Sequence, residues 1–395
     1  MRFSPLRFSR AIVIVLDGAG VGALPDAAAY ADEGSNTLGN VAKRVPLAIP
    51  TLRAMGLGRV VELGGEPPPA LAAFGRMMEA SPGKDSVTGH WELTGVTLDQ
   101  PFPIFPDGFP VTAITDFERR IGRKTLGNVA ASGTEIIERF GMAHLDTGAP
   151  IVYTSADSVC QIAAHESVTP LAELYRYCEI AFDVLGEGLG VGRVIARPFV
   201  GKRGSFRRTA NRRDFARAAP GETLLDRAVA AGIPVTTIGK VDELFAGRGV
   251  SKAIHTSSDD DGMNALEQTL SSVTRGLILV NLVDFDTVYG HRNDVPGYAA
   301  NLERFDSRLA RLLPRIEDGD LFAITADHGN DPTTPSTDHS REHVPVLIAG
   351  SAVRAGAELG TRSSLADLGQ TIAEGFGLEP LIEGVSFLGE VALEL

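Results

Sequence analysis

Cysteine is scarce in this chain of 395 residues: only Cys160 and Cys178 occur, at no spacing known for a metal or redox pair. They read as reduced core thiols, and the protein as one of a reducing compartment, the cytoplasm. Long apolar runs are missing too; none approaches the roughly 20 residues of a membrane span. Repeats and low-complexity tracts are absent. Positive charge is in deficit, with 37 Lys and Arg against 50 Asp and Glu and a formal net charge of −13. That balance disfavours nucleic acid as a partner and requires a local basic patch for any anionic ligand. What remains is ordinary for a soluble globular enzyme: 44% hydrophobic and 22% charged residues, in a chain long enough to bury a large core. Arg2, Arg7 and Arg10 before AIVIVL (11–16) imitate a signal peptide. The apolar run is shorter than the roughly 7–15 residues of such a segment and ends in Asp17, so a first buried strand is expected.

The run ITADHGND (324–331), with TDH at 337–339, carries the most chemistry. Ile324, Thr325 and Ala326 read as the end of a buried strand, which places Asp327 and His328 at its tip and His339 on the following loop. Strand tips are where open α/β sheets put their sites. Two further runs repeat the design. AIVIVL ends in Asp17, and LILVNLVDFD (277–286) ends in Asp286, with His291 following in TVYGH. Each Asp alone is weak evidence, since a strand-end Asp often only caps a helix. Together, Asp17, Asp286, His291, Asp327, His328 and His339 are too many N/O ligands for one open metal site. They suit two adjacent divalent ions, an arrangement that serves phosphoryl transfer.

The nucleophile is sought in SPGKDSVTGHWELTG (81–95). Ser86 and Thr88 are both candidates, since a hydroxyl at a helix start beside two cations can lose its proton and attack phosphorus. Lys84 adds positive charge. Thr88 is also well placed to cap the stretch beginning GHWEL. His90 and Trp91 are expected to pack this helix, and His165 to be a helix-start or core histidine.

Strand and helix patterns alternate before about residue 97 and after about 221, as in a parallel sheet with crossover helices. The expected strands include 233–239, 277–283, 321–326 and 344–350, and the expected helices 262–272 and 297–313. The Pro- and Phe-rich segment between lacks an Asp/His cluster. Residues 98–221 are therefore expected to form an inserted cap, with inner strands at 150–157 and 192–199. The catalytic core, 1–97 with 222–395, is discontinuous. From Arg193 to Arg217 the cap holds nine Lys or Arg and one acid, Asp214. Such a run is usually a solvated face, but here it is also the natural anchor for a second phosphate.

The motifs VLDGAGVGALPDA, GKDSVTGHWE, ASGTEI, YTSADSVCQIAAHE, VGRVIARPFVG, NLVDFDTVYGHR and ITADHGNDPTTPSTDH resemble those of the phosphopentomutase family, within the alkaline phosphatase superfamily, from about residue 11 to the C-terminus. The resemblance implies an α/β, alkaline-phosphatase-like core, with a mostly parallel central sheet flanked by helices and a smaller α/β cap. It implies interconversion of ribose 1-phosphate and ribose 5-phosphate, and of the deoxyribose pair, with two Mn²⁺ ions. Asp286, His291 and His339 would hold one ion, and Asp17, Asp327 and His328 the other. The phosphorylated hydroxyl would be Ser86, where the family usually has threonine. The resemblance makes Arg193, Arg208 and Lys240 phosphate contacts, and Ser155 and Asp157 contacts to the sugar.

The expected reaction is a relay. Ser86 gives its phosphoryl group to the sugar phosphate, the resulting sugar bisphosphate turns round, and its other phosphate returns to Ser86. The bisphosphate also serves as activator, Lys84 helps to stabilise the transferring group, and the cap excludes water. The competing readings are a cofactor-independent phosphoglycerate-type mutase, a two-metal phosphomonoesterase or phosphodiesterase, and a non-enzymatic metal-binding protein. A sulfatase is disfavoured because no C-x-P-x-R segment is present.

Overall fold

Strand Arg10–Leu16 is buried at every position, and so are Gly276–Leu282 and Asp320–Thr325. An apolar run without alternation can be satisfied only in a sheet covered on both faces. In the computed structural model, which describes residues 8–155 and 158–393, these three strands lie side by side and parallel. They form the middle of an eight-stranded sheet ordered Lys252–Ile254, Val235–Ile238, Gly276–Leu282, Arg10–Leu16, Asp320–Thr325, Val344–Ala349, Ala73–Met77, Glu358–Arg362. Only Val344–Ala349 runs against its neighbours. Val15 pairs with both Asn281 and Thr325, so the three central strands end at one level.

Parallel neighbours need crossovers, and Val295–Leu312 is the longest helix among the described residues. Asp294 caps it by accepting from Gly297 N at 3.0 Å. Tyr298, Leu302, Phe305, Leu309 and Leu312 form its buried stripe, each such side chain contributing about 1.5–3 kcal/mol through burial. Asp306 is buried on the same helix and accepts from the backbone of Thr51 and Leu52 at 3.2 and 2.7 Å, capping the short helix Pro50–Ala54.

The chain divides into two compact units, Met1–Gln100 with Ala219–Leu395, and Pro101–Ala218. The second unit has its own sheet, ordered Leu126–Ala130, Ile151–Thr154, Val159–His165, Arg193–Val200, Arg207–Arg208, with Arg213–Ala216 also paired to Arg193–Val200. Alternate residues face opposite layers. Val152, Cys160, Ile162 and Val194 pack with Phe117 and Cys178 on one side, while Ile151, Tyr153, Ala163 and Phe199 pack with Ile136 and Ile137 of helix Gly133–Thr147 on the other. Both cysteines are buried and free. The expected inner strands at 150–157 and 192–199 are not neighbours, because Val159–His165 runs between them. This strand is buried on both faces and has no polar alternation to betray it. His165 is accordingly the buried last residue of a strand, with no part in a helix start.

Candidate metal centre

The level ends of the three central strands bring the Asp/His motifs together. Asp17 follows Arg10–Leu16 directly, and its backbone N–H donates to Leu282 O at 3.1 Å. Asp286 sits in the helical turn Phe285–Tyr289, with His291 in the next turn, Gly290–Arg292. Asp327 and His328 follow Asp320–Thr325. The ligand atoms of Asp17, Asp327 and His328 all lie within 4.8 Å of one another, as do those of Asp286, His328 and His339. His328 thus belongs to both groups. His291 reaches the second group through Asp286, with Nε2 3.1 Å from Oδ2.

Two of the imidazoles are aimed by their backs. His328 Nδ1 lies 3.0 Å from Gly329 O, and His291 Nδ1 lies 2.6 Å from Thr337 O. A carbonyl can only accept, so each Nδ1 carries its proton and each Nε2 faces the carboxylates, an arrangement common to metal-bound histidines. The cluster has an excess of acceptors. Asp327 Oδ2 is buried with no well-formed hydrogen bond among the described residues and has only the imidazoles of His90 and His328 near it, at 3.2 and 3.5 Å, a costly state unless a cation meets it. Burial opposes charge on His328, yet the carboxylates of Asp327 and Asp17 outweigh it and raise its pKa well above the ordinary value. Burial likewise pushes the Asp286 carboxyl up, but the imidazoles of His339 and His291 hold it well below the usual range. The donor set, mixed carboxylate and imidazole and short of positive charge, fits divalent cations.

Ser86 is the first residue of helix Ser86–Leu93. Its Oγ lies 3.1 Å from His328 Nε2 and 3.4 Å from Asp17 Oδ1. The expected capping role of Thr88 is corrected by the structure. Asp85 is the N-cap, accepting from Val87 N and Thr88 N at 3.0 and 3.1 Å, while the buried Thr88 hydroxyl donates to Asp85 Oδ2 at 2.6 Å. The helix touches Asp327 twice. His90 Nδ1 stands 3.2 Å from Asp327 Oδ2 and 2.9 Å from Ser86 O, and Gly89 lies so close that a Cβ there would fall onto the Asp327 carbonyl oxygen. Trp91 is buried, its indole N–H donating to Leu244 O.

The sequence reading missed the braces behind this site. Arg341 donates to Ser81 O, Gly83 O and Glu79 Oε2 at 2.8, 2.6 and 2.9 Å. Glu92 accepts from the backbone of Ala80 and Ser81 at 2.8 and 2.7 Å. The segment leading to Ser86 is therefore held at both its carbonyls and its amides. Asn281 donates to Asp17 Oδ2 at 2.9 Å and Asn330 to Asp286 Oδ1 at 2.6 Å. Lys84 is engaged by Asp32 at 3.0 Å and by Asp338, beside His339, at 3.5 Å. Lys240 follows strand Val235–Ile238 and precedes the turn Val241–Leu244, which puts it at the same edge of the sheet.

In the second unit, Arg193 and Arg197 lie on one face of strand Arg193–Val200. Arg193 Nη1 is 3.7 Å from Asp214 Oδ2, and Arg212 pairs with the same carboxylate at 2.6 Å. Arg197 Nε donates to Gln161 Oε1 at 2.8 Å. Arg208 is exposed, and Ser155 is half-buried just after strand Ile151–Thr154. Asp157 lies outside the described residues.

A cluster of acids and imidazoles around a helix-borne hydroxyl, on a central α/β sheet, defines a metal-dependent phosphoryl-transfer enzyme of alkaline-phosphatase-like fold, and the model of the metalloenzyme superfamily matches residues 9–380. The phosphopentomutase of Caldanaerobacter subterraneus subsp. tengcongensis is 52% identical over 388 residues, covering 98% of this chain and 99% of that protein. The phosphopentomutase of Desulfitobacterium hafniense is 53% identical over 388 residues, covering 97% and 99%. The phosphoglycerate mutase of Leishmania mexicana, solved at low cobalt concentration, aligns over 99% of both chains with a TM-score of 0.50 and 13% identity, a likeness of fold. The chain belongs to the phosphopentomutase family.

Proposed function

We propose that the protein interconverts ribose 1-phosphate and ribose 5-phosphate, and the 2-deoxyribose pair, by carrying a phosphoryl group on Ser86. The observation that supports this most is the position of Ser86 Oγ, 3.1 Å from His328 Nε2 and 3.4 Å from Asp17 Oδ1, at the start of a helix. Asp17, Asp327 and His328 would hold one divalent ion and Asp286, His291 and His339 the other, Mn²⁺ in both cases. Such ions lower the pKa of a bound hydroxyl and neutralise charge on a transferring phosphoryl group.

The chain's own residues account for the remaining steps. Phosphoserine 86 meets a free hydroxyl of the sugar phosphate. The bond from phosphorus to Ser86 Oγ breaks, a bond to the sugar oxygen forms, and the hydroxyl proton passes to Oγ. The sugar bisphosphate then returns its other phosphate to Ser86 by the reverse exchange. A trace of the same bisphosphate primes the unphosphorylated enzyme. Arg193 and Arg208 serve as phosphate contacts, as does Lys240, while Ser155 and Asp157 bind the sugar. Lys84 orders the loops that carry Ser86 and His339 and adds positive charge near the transfer. The second unit thus acts as the substrate-binding domain, and the enzyme works on small sugar phosphates in the cytoplasm. Among the described residues no helix is long and apolar enough to cross a membrane.

The test is the purified protein with Mn²⁺, ribose 1-phosphate and a trace of ribose bisphosphate. Ribose 5-phosphate is the expected product. Release of free phosphate alone would make the protein a phosphatase, and turnover of phosphoglycerate alone would make it the other kind of mutase.

A further inference from the structure

His90 is fully buried in helix Ser86–Leu93, and packing alone does not account for it. Its Nε2 has no hydrogen-bond partner among the described residues. A buried polar atom in that state is costly, and a leucine or phenylalanine in the same place would avoid the cost. Nδ1 is engaged. It lies 2.9 Å from Ser86 O and 3.2 Å from Asp327 Oδ2, and the bond to Ser86 O is the better formed. A carbonyl oxygen can only accept, so Nδ1 carries a proton. One N–H thus stands between the backbone of the nucleophile and a carboxylate of the metal edge.

The surroundings show what that N–H is for. Asp327 Oδ1 accepts from the backbone of Gly18 and His328 at 3.1 and 3.2 Å, so this oxygen is fixed by amides. Oδ2 has the two imidazoles. His328 belongs to both ligand groups, which commits its Nε2 to a cation. His90 belongs to neither and is left to serve the carboxylate. The next two residues of the helix are anchored away from the metal edge: Trp91 Nε1 donates to Leu244 O at 2.9 Å, and Glu92 accepts from Ala80, Ser81 and Leu365 N at 2.8, 2.7 and 3.0 Å. Those bonds hold the helix to the fold. His90 relates its first turn to the Asp327 carboxylate.

We propose that His90 is a positioning residue of the phosphoryl-transfer site, whose Nδ1–H holds the Asp327 carboxylate and the Ser86 backbone in one frame, so that metal ligand and nucleophile keep their spacing. The role toward Ser86 rests on the reading of Ser86 as the phosphoryl carrier. The role toward Asp327 rests on the geometry of the cluster alone. Losing a residue that orients a ligand without being one costs about 10–100-fold in metal affinity or activity.

Substitutions that differ in where they place an N–H separate positioning from packing. The amide nitrogen of Asn lies as many bonds from Cβ as Nδ1 does, and that of Gln as many as Nε2. The full-length protein, freed of metal, is titrated calorimetrically with Mn²⁺, and its thermal midpoint is recorded. His90→Gln should bind Mn²⁺ about 10–100-fold more weakly, whereas His90→Asn should stay close to the parent. His90→Phe keeps a buried ring and removes both nitrogens. It should bind Mn²⁺ as weakly as His90→Gln, with a thermal midpoint no lower than that of His90→Asn. At saturating Mn²⁺, kcat for ribose 1-phosphate should fall in the Gln and Phe variants while KM holds, because the contacts to the sugar phosphate lie elsewhere. Parent-like Mn²⁺ affinity in His90→Phe would overturn the proposal, even if His90→Gln failed to fold. Equal losses in the Asn and Gln variants, in step with their thermal midpoints, would overturn it as well, since the imidazole would then matter only as packing. A difference between Asn and Gln in Mn²⁺ affinity, in a protein that converts no pentose phosphate, would uphold the role toward Asp327 and overturn the reading of the reaction.

Discussion

The metal edge of the first unit and the basic face of the second differ in how completely their polar groups are matched. Around Ser86 nearly every donor and acceptor of the approach is fixed, with Arg341 on the carbonyls of Ser81 and Gly83, Glu92 on the amides of Ala80 and Ser81, and Asp85 on those of Val87 and Thr88. The unmatched atoms are mostly acceptors: Asp327 Oδ2, Glu79 Oε1 and the amide oxygens of Asn281 and Asn330. In the second unit the unmatched groups are donors: Tyr153, Arg208 and the start of helix Gly133–Thr147. Excess acceptors ask for cations and excess donors ask for anions. Which kind of polar group is left over thus indicates the charge of the ligand a site accepts.

The comparison breaks most sharply if the metal edge does not need its cations. Asp286→Ala and His328→Ala should each lower bound metal and cut turnover by more than about a hundredfold, since loss even of a residue that only orients a ligand costs about 10–100-fold in metal affinity or activity. Excess chelator should abolish turnover and added Mn²⁺ should restore it. Metal content by elemental analysis, measured beside the rate, checks both. Full activity in chelator would refute the two-ion site.

A smaller effect tests whether the matching around Ser86 is needed for position. In Gly89→Ala the new methyl meets the Asp327 carbonyl, so either the helix or the ligand must move. Ala is otherwise the better helix former by about 1 kcal/mol. The rate should fall about ten- to a hundredfold, as displacements near 1 Å do, with a far smaller loss of stability. Equal, slight changes in both would show that the contact is slack.

Behind the metal edge, Glu342 is a buried acid with neutral partners only. It accepts from Thr37 N at 2.9 Å and Gly22 N at 3.1 Å on one oxygen, and from the hydroxyls of Thr37 and Ser340 at 2.8 and 2.7 Å on the other. Burial outweighs these bonds and raises its pKa to about 7. A carboxyl raised by folding binds its proton more tightly in the folded state. Its contribution is therefore full below the unfolded value, near 4, and is lost as pH climbs toward 7. Metal-free protein should lose stability over that interval, on the order of a few kcal/mol at most. Glu342→Gln should flatten the profile, because its amide can face the two hydroxyls, which are free to turn and accept. Denaturation midpoints across the interval check this, and a slope unchanged in the variant would clear Glu342 of the effect.

Legibility in the sequence followed the same division. The strands that deliver Asp17, Asp286 and Asp327 were readable because buried parallel strands are continuous apolar runs that end abruptly in acids. His291 and His339 came from motifs. Arg341, Asn281 and Asn330 were not readable, because each acts on a segment far along the chain, as Arg341 does on residues 79–83, and Glu92 likewise ties its helix to the distant Ser364 and Leu365. Tyr153 looked like one more aromatic in a strand, and only the helix packed above it shows that its hydroxyl is stranded. Strand Val159–His165 was lost because residues 159–165 alternate in no polar pattern.

The finest distinction concerns the choice of hydroxyl. Ser86 and Thr88 lie two residues apart, and the structure separates them by occupation. Thr88 is 1% exposed and its hydroxyl is bound to Asp85 at 2.6 Å, whereas the Ser86 hydroxyl faces His328 and Asp17. Ser86→Ala should accept no phosphoryl group. Thr88→Ala should still be labelled, at the cost of about 0.5–2 kcal/mol from a weakened cap. Ser86→Thr adds one methyl at Cβ, which narrows χ1 but removes neither the hydroxyl nor the helix start. Its turnover should stay within about tenfold of the parent, since an off-rotamer side chain costs only about 0.5–1.5 kcal/mol. Mass spectrometry of the peptide spanning residues 81–95, after incubation with ribose bisphosphate, locates the phosphate in all three variants. Phosphate on Thr88 in the parent protein would reverse the assignment. A dead Ser86→Thr that still bound metal would show that the packing around this hydroxyl, tighter than the neighbouring contacts imply, is itself selective for serine.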